Sequence, residues 1–420
     1  MWKVLRRQQG LDDAPSTDPT DAAPSSSGGG SSGPVPISRD GGPGYVAPIT
    51  GAQAARLTRF QINQRTLALH NSQPQVAPAP DDALTTPHGN WVYDKLLRHA
   101  SHENPVLRRK AYSMLLELFA QKADHAVNSL HGGSMATMVA SLKDEDEDVR
   151  GLACMALQAV IKTPRGQEVA FAGQHFEAFL SVLDDDSPAV VAEGLRLCHA
   201  CHMAVNDGAA TERLIALGAV PKYVDKISSP DDDVCAMALA ALGRVFDVKE
   251  AFIVVNDNRA LRPITKVLAT REDPTALVEA AEVVSKVAFF LAGKRAAVHE
   301  RTVESVIPLA AHPDPVVRTA ATGALVALTI SEDGKLQAIS ADVVPKLKEL
   351  FASEGERDVL ANAVKTVCNV SEHPIARQQL ADLVPQLKEI GEMAEESHGS
   401  LQTSVQRAIA MIQWTPGDVY

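Results

Sequence analysis

Near the middle of the chain, two cysteines and a histidine have a spacing at which they could hold a cofactor or a metal. Cys198, Cys201 and His202 form a CxxCH motif, which attaches c-type haem in other proteins and whose residue types also ligate zinc. Zinc needs two more ligands in a closed tetrahedral shell, and no second Cys or His pair lies nearby in the sequence. Haem attachment needs an oxidising compartment, whereas the five cysteines indicate a reducing one.

Acidic runs could hold a cation or attract a basic partner. They occupy residues 144–148, 184–186 and 231–233, each just before an apolar segment. They lack the EF-hand spacing with its glycine and terminal glutamate. Carboxylates favour the positive end of a helix and accept hydrogen bonds from its first N–H groups. We therefore interpret the runs as helix caps, with steering of a basic partner as a secondary effect.

No other residue pattern indicates catalysis. The sequence contains no nucleophile elbow, P-loop or paired-carboxylate motif. Glycines 28–30 stand in a Pro/Gly/Ser-rich segment with no strand before them, so they do not form a phosphate-binding loop. We predict that the protein is not an enzyme and that it binds neither a cofactor nor a metal.

The composition excludes two classes of partner. The chain has 420 residues, with 40 Lys+Arg against 52 Asp+Glu and a net charge of -12. Nucleic-acid binding needs clustered Lys and Arg to neutralise phosphates, so no nucleic-acid partner is expected. No apolar stretch is long enough to span a membrane, so no membrane association is expected. With the cysteine content, this predicts a cytoplasmic protein.

The first 88 residues differ in composition from the rest. They hold as many Asp as Lys and Arg together, no Glu, and runs of Pro, Gly and Ser. Such a segment buries too little apolar surface to offset its ordering entropy, so we predict a flexible extension over residues 1–88. Residues 52–70 lack Pro and Gly and carry Leu57, Phe60 and Leu67. This segment is either a short helix that docks on a partner or on the body, or a slightly apolar linker.

Residues 89–416 repeat every 40 to 44 residues. In each repeat one apolar residue, which we call the anchor, opens a helical segment. Further apolar residues follow it at offsets of three, four, seven, eight and eleven, which form one stripe of an α-helix. The fourth position is small in seven of eight segments, as close helix crossing requires. The anchors are Leu107, Val149, Val190, Val234, Leu277, Val317, Val359 and Leu401.

Two shorter amphipathic stretches precede the long one in each unit, as at residues 211–218 and 343–351. No unit can bury its stripe alone, so neighbouring units must stack. We predict an all-α, right-handed α-solenoid of about eight repeats, followed by a tail at 417–420. In this frame Cys198 and Cys201 occupy stripe positions held elsewhere by Leu and Val. We therefore predict two core thiols rather than ligands.

The repeat resembles the armadillo family, whose units have three helices and this period. Residues 330–350 (ISEDGKLQAISADVVPKLKEL) resemble its motif, in which a short helix leads through a turn into V-P-x-L. The two ends of the body, residues 83–97 (ALTTPHGNWVYDKLL) and 362–416, are similar to armadillo-repeat subunits of the radial spokes of motile cilia and flagella. This resemblance implies a scaffold in the axoneme that contacts other spoke subunits.

The resemblance also implies where a partner binds. In armadillo proteins the last helix of each unit lines a concave groove through residues six and ten after the anchor, and relatives that capture extended peptides carry Trp and Asn there. Here only Asn369 matches, and repeat five offers Val283 and Val287. Cations at these positions either anchor an acidic group of a folded partner or are simply solvated. The groove candidates are Ser113, Glu117, Arg196, Arg244, Lys365, Asn369 and Arg407.

We therefore expect a structural subunit of the radial spoke. One alternative is a soluble cytoplasmic adaptor or transport receptor that binds a protein partner in the groove. The lack of repeated Trp and Asn at the groove positions counts against it. Another is an enzyme built on a helical scaffold, for which the sequence shows no catalytic domain.

Overall fold

The computed structural model describes residue 84 and residues 91–130, 133–203, 208–248, 251–395 and 399–415. Side chains at 393–395, 399 and 400 are not described. The predicted docking residues Leu57, Phe60 and Leu67, and the tail at 417–420, lie outside these ranges. Within them all regular structure is helical and no strand occurs, as predicted.

After an initial pair, the helices run in groups of three, of which the third is the longest. Four 3₁₀ turns adjoin the shorter helices, at Ser141–Lys143, Val182–Asp184, Ile307–Ala311 and Ala381–Leu383. The α-helices are α1 (Trp91–His99), α2 (Pro105–Gln121), α3 (Ala123–Asn128), α4 (Ser134–Ala140), α5 (Glu147–Ile161), α6 (Pro164–Ala172), α7 (Phe176–Ser181), α8 (Pro188–His202), α9 (Ala209–Ala216), α10 (Ala219–Ile227), α11 (Asp232–Val245), α12 (Ala251–Asp257), α13 (Leu261–Thr270), α14 (Pro274–Val287), α15 (Leu291–His299), α16 (Thr302–Val306), α17 (Pro315–Leu328), α18 (Glu332–Ser340), α19 (Val343–Ser353), α20 (Arg357–Val370), α21 (Pro374–Gln379), α22 (Val384–Glu395) and α23 (Gly399–Gln413).

The eight long helices, α2, α5, α8, α11, α14, α17, α20 and α23, stack each upon the next. All eight predicted anchors are buried. Gly194 shows why the fourth position after an anchor is small, since a Cβ atom added there would lie 2.7 Å from Cγ1 of Val182. The armadillo-type solenoid predicted from the periodicity is confirmed.

Repeat five is displaced by one residue from the predicted register. In repeat four the N-cap Asp231 accepts a hydrogen bond from the N–H of the anchor, Val234, at 3.0 Å. In repeat five the N-cap is Asp273, and it accepts from Ala276 at 2.7 Å. The structural equivalent of the anchor is therefore Ala276 and not Leu277. Both residues are buried, so apolar periodicity alone does not separate them.

The acidic runs cap the long helices only in part. Asp146 and Asp231 act as caps, as predicted, and Asp146 accepts from the Val149 N–H at 3.1 Å. Asp185 instead accepts two hydrogen bonds from Arg150, at 2.6 and 2.9 Å. The acidic residues before a long helix thus have a second role, in joining one repeat to the next.

An arginine one residue after the anchor ties three repeats to their successors. Arg150 donates to the main-chain carbonyl of Asp144 in its own repeat at 2.9 Å and to the Asp185 carboxylate in the next. We call this arrangement the inter-repeat clamp. Its carboxylate follows the arginine by 35 or 36 residues. The three clamps are Arg108–Asp144, Arg150–Asp185 and Arg318–Glu354, with N···O distances of 2.8, 2.6 and 2.6 Å.

Three glycines allow the first helix of a repeat to approach the end of the preceding long helix. A Cβ atom added to Gly166, Gly293 or Gly334 would lie 2.0, 2.0 or 2.1 Å from a main-chain carbonyl oxygen of that helix. These contacts are far shorter than van der Waals distance, so the repeat junction depends on the absence of a side chain.

We expect Gly334→Ala to lower the free energy of unfolding by about 1–3 kcal/mol, because the new methyl group forces α18 away from the Leu328 carbonyl. Urea denaturation measures this change. The matched control is Gly151→Ala inside α5, where nothing lies within 4 Å of the added Cβ. It should stabilise the protein by about 0.5–1 kcal/mol through helix propensity. The same sign for both variants would contradict this role of Gly334.

Candidate protein-binding surface

A groove crosses the long helices α2, α5, α8 and α11. It encloses about 490 Å³ and is lined by one or more residues of each helix, among them Ser113, Met155, Arg196 and Asp233. We call it the N-terminal groove. The structure thus brings two predicted site residues, Ser113 and Arg196, to one surface, together with the exposed side chain of Met155.

Polar side chains cross this groove from each helix to the next. We call these three contacts the polar ladder. Two of them are ion pairs, in which Arg109 donates to Asp148 at 3.0 Å and Arg196 donates to Asp233 at 2.5 Å. In the contact between them, the Gln158 amide donates to the Glu193 carboxylate at 2.7 Å. Arg196 also contacts Glu193 at 2.8 Å, so its charge is already matched by two carboxylates. Sequence reasoning singled out Arg196 but not this ladder.

Glu117 lies beside Ser113 in a neighbouring hollow. Leu84, Val106 and Met114 also line this hollow, and Leu84 packs against the apolar core. The Glu117 side chain is exposed. Its predicted contribution to partner binding stays a prediction.

Asn369 is engaged within the solenoid. Its amide donates to the Val326 carbonyl and to the Thr329 hydroxyl, each at 3.1 Å, and thereby ties α20 to α17. Lys365 and Arg407 are exposed and form no ion pair with any residue the structure describes. These three predicted residues belong to the last two repeats, apart from the N-terminal groove.

The residues expected at the groove in repeat five were wrong by one position. Val283 and Val287 are buried, because the helix follows the Ala276 register. Glu282 and Lys286 take the positions six and ten after the anchor, and Lys286 Nζ donates to the Gly243 carbonyl at 2.8 Å. The repeated Asp-Pro pair at the start of α14 and α17 is the signal that finds this register.

Basic side chains gather in the middle of the solenoid, one on or directly after each of four successive long helices: Lys162, His199, Arg244 and Lys286. We call the three permanent cations among them, Lys162, Arg244 and Lys286, the cationic cluster. Burial lowers the pKa of His199, and Arg244, Lys286 and Lys162 lower it further. Arg244 is half-buried, and in the described part of the chain no carboxylate forms an ion pair with it. Of the predicted site residues, only Arg244 belongs to this cluster.

The CxxCH motif is part of the core. Cys198 and Cys201 are 0% and 1% exposed, as predicted, and burial raises the pKa of Cys198 to about 12. The buried His202 ring lies 3.0 Å from the hydroxyls of both Thr211 and Tyr223, a polar network that the sequence did not reveal. Over the described ranges, no three His, Cys, Asp or Glu side chains converge as a metal site.

In the part of the chain that the structure describes, no helix is long and apolar enough to cross a membrane. No protein-family model matches the chain. It is 26% identical over 133 residues to radial spoke protein 14 of Chlamydomonas reinhardtii. The match covers 31% of this chain and 34% of that protein, so it spans about a third of the relative's length.

Several solved structures of similar fold are engineered proteins. One superposes with a TM-score of 0.66 at 20% identity and covers 77% of this chain and 79% of its own. A designed armadillo repeat protein, solved in complex with the peptide (KR)4, has a TM-score of 0.51 at 18% identity and covers 56% of this chain and 99% of its own. At such identities these likenesses establish the fold alone. The chain is an armadillo-type α-solenoid that is similar, over about a third of its length, to radial spoke protein 14.

Proposed function

We propose that the chain is a non-catalytic scaffold subunit of the radial spoke of motile cilia and flagella, where it joins other spoke subunits by protein–protein contacts. The match to radial spoke protein 14 carries this proposal. Under this proposal the chain is located in the axoneme, within the cytoskeleton of the cilium.

The physical properties of the solenoid suit a scaffold. Stacked repeats present a long surface in a fixed shape, since each unit is held by its neighbours. The inter-repeat clamps and the polar ladder add directional bonds to the apolar packing. A partner of ordinary interface size, about 800 Å² on each side, can cover several repeats at once.

The alternative of an adaptor or transport receptor draws support from the designed neighbour that holds the peptide (KR)4. Two features of this chain count against the same mode of binding. The Asn369 amide is occupied by α17, and the cationic cluster repels a basic peptide in the middle of the solenoid.

Fractionation of ciliated cells tests the proposal. The full chain carrying an epitope tag should stay with axonemes after detergent extraction, since a spoke subunit is held by assembly contacts. High salt should then release it together with radial spoke subunits, in one sedimenting complex. A cytoplasmic marker enzyme serves as the control. Recovery of the chain wholly in the detergent supernatant with that marker would overturn the radial-spoke proposal and favour the adaptor.

A further inference from the structure

Four phenylalanines converge at the ends of two neighbouring long helices, in a chain with ten Phe in total. The Phe252 and Phe290 rings stack with their centroids 4.4 Å apart, and Phe289 meets Phe290 edge to face at 5.6 Å. Phe246 lines the same hollow as Phe289 and Phe290. We call these four residues the aromatic edge. Phe289 is 81% exposed, so the cluster presents an aromatic ring to solvent.

The hollow beside Phe289 has the size and the lining of a docking site. It encloses about 580 Å³, enough to admit a bulky apolar side chain, and Lys286 and Asp247 also line it. Ile330 is the equivalent of Phe289 in the next repeat and is also exposed. Large exposed aromatic groups at a hollow are typical of binding hot spots.

The cationic cluster adjoins this hollow through Lys286. The Lys286 ammonium group donates to the Gly243 carbonyl, on the same helix as Arg244. Glu279 lies near both cations: burial and Glu282 raise its pKa, whereas Lys286 and Arg244 lower it. Among the described residues, however, neither cation forms an ion pair. Lys162, Arg244 and Lys286 all lower the pKa of His199, so three cations act on this ring in a protein whose net charge is -12.

We propose that the aromatic edge and the cationic cluster form one docking surface for an acidic amphipathic segment of a protein partner. An apolar side chain of the partner enters the hollow beside Phe289, and its carboxylates meet Arg244 and Lys286. Charge complementarity selects an acidic over a basic occupant. The inference rests on the proposed scaffold function and names the surface and the chemistry of one contact.

A labelled model peptide tests this surface on the full chain. The probe is an 18-residue synthetic helix with Leu along one face and Glu elsewhere, and its counterpart carries Lys in place of Glu. Fluorescence anisotropy should show binding of the Glu peptide, weakening with salt, and little binding of the Lys peptide. Phe289→Ala and Lys286→Glu should each weaken binding at least tenfold.

The matched control is Ile375→Ala, which truncates another apolar side chain, 56% exposed, on α21. It should leave the affinity unchanged. Because Phe289 is largely exposed, its truncation should also leave the urea midpoint unchanged, which separates loss of binding from loss of folding. Any of three results would overturn the inference. They are equal binding of both peptides, unchanged binding by Phe289→Ala, and tighter binding of an oligouridylate of the same length.

This outcome is independent of the fractionation result. Failure of the Glu peptide to bind, combined with an axonemal location, would remove this docking surface and leave the radial-spoke proposal standing. Specific binding of the peptide by a chain found only in the detergent supernatant would remove the radial-spoke proposal and leave this docking surface standing.

Discussion

Arg150→Met is expected to lower the free energy of unfolding by about 3–5 kcal/mol, the cost of leaving a nearly buried carboxylate without its cation. The Asp185 side chain is only 11% exposed. Urea denaturation at neutral pH measures the loss. The matched control, Arg165→Met, removes an exposed pair with Glu168 and should cost less than about 1 kcal/mol.

A double variant separates the buried charge from general loss of packing. Arg150→Met combined with Asp185→Leu removes both charges, so it should recover most of the stability lost by Arg150→Met alone. Equal costs for Arg150→Met and Arg165→Met, or no recovery in the double variant, would show that the clamp does not hold the repeats together.

His202→Gln is expected to remove a large part of the pH dependence of stability. Burial, with smaller contributions from His199 and Arg244, lowers the pKa of His202 to about 3 in the folded protein, against about 6.5 in an unfolded chain. As the pH falls below about 6.5, the unfolded chain therefore binds a proton that the folded chain does not. Stability is lost in that direction, by about 1.4 kcal/mol for each pH unit.

The measurement is the free energy of unfolding at pH 7 and pH 5. Between these values the original protein should lose about 2 kcal/mol more than His202→Gln. His299→Gln, which removes an exposed histidine, should keep the full loss. Burial alone would raise the pKa of Asp185, but its bonds with Arg150 lower it, so its contribution is lost only at more acid pH. Parallel pH profiles for the original protein and His202→Gln would contradict the buried neutral histidine.

The helical architecture could be predicted because the apolar stripe of a helix is a local pattern that recurs in each repeat. The same pattern did not predict the register of repeat five correctly. Ala276 and Leu277 are adjacent, apolar and both buried, so periodicity does not distinguish them. The helix cap does, since Asp273 and Pro274 match Asp314 and Pro315 of the next repeat.

The candidate surfaces were less predictable because they join residues about one repeat apart. The Arg150–Asp185 clamp leaves a trace in the sequence, an acidic residue 35 positions after the arginine, and alignment of the repeats can find it. The aromatic edge leaves none. Phe252 lies in the short helix α12 and Phe290 in the connection between α14 and α15, and their stacking depends on how the ends of α11 and α14 meet.

The position of the chain in the axoneme decides whether the solenoid serves the radial spoke. Cryo-electron tomography of axonemes that carry the full chain with a dense carboxyl-terminal label would locate it. If the chain is a spoke scaffold, the label should add density to the radial spokes at one position in each repeat of the axoneme. Label density confined to other structures, with unchanged spokes, would contradict the proposed function.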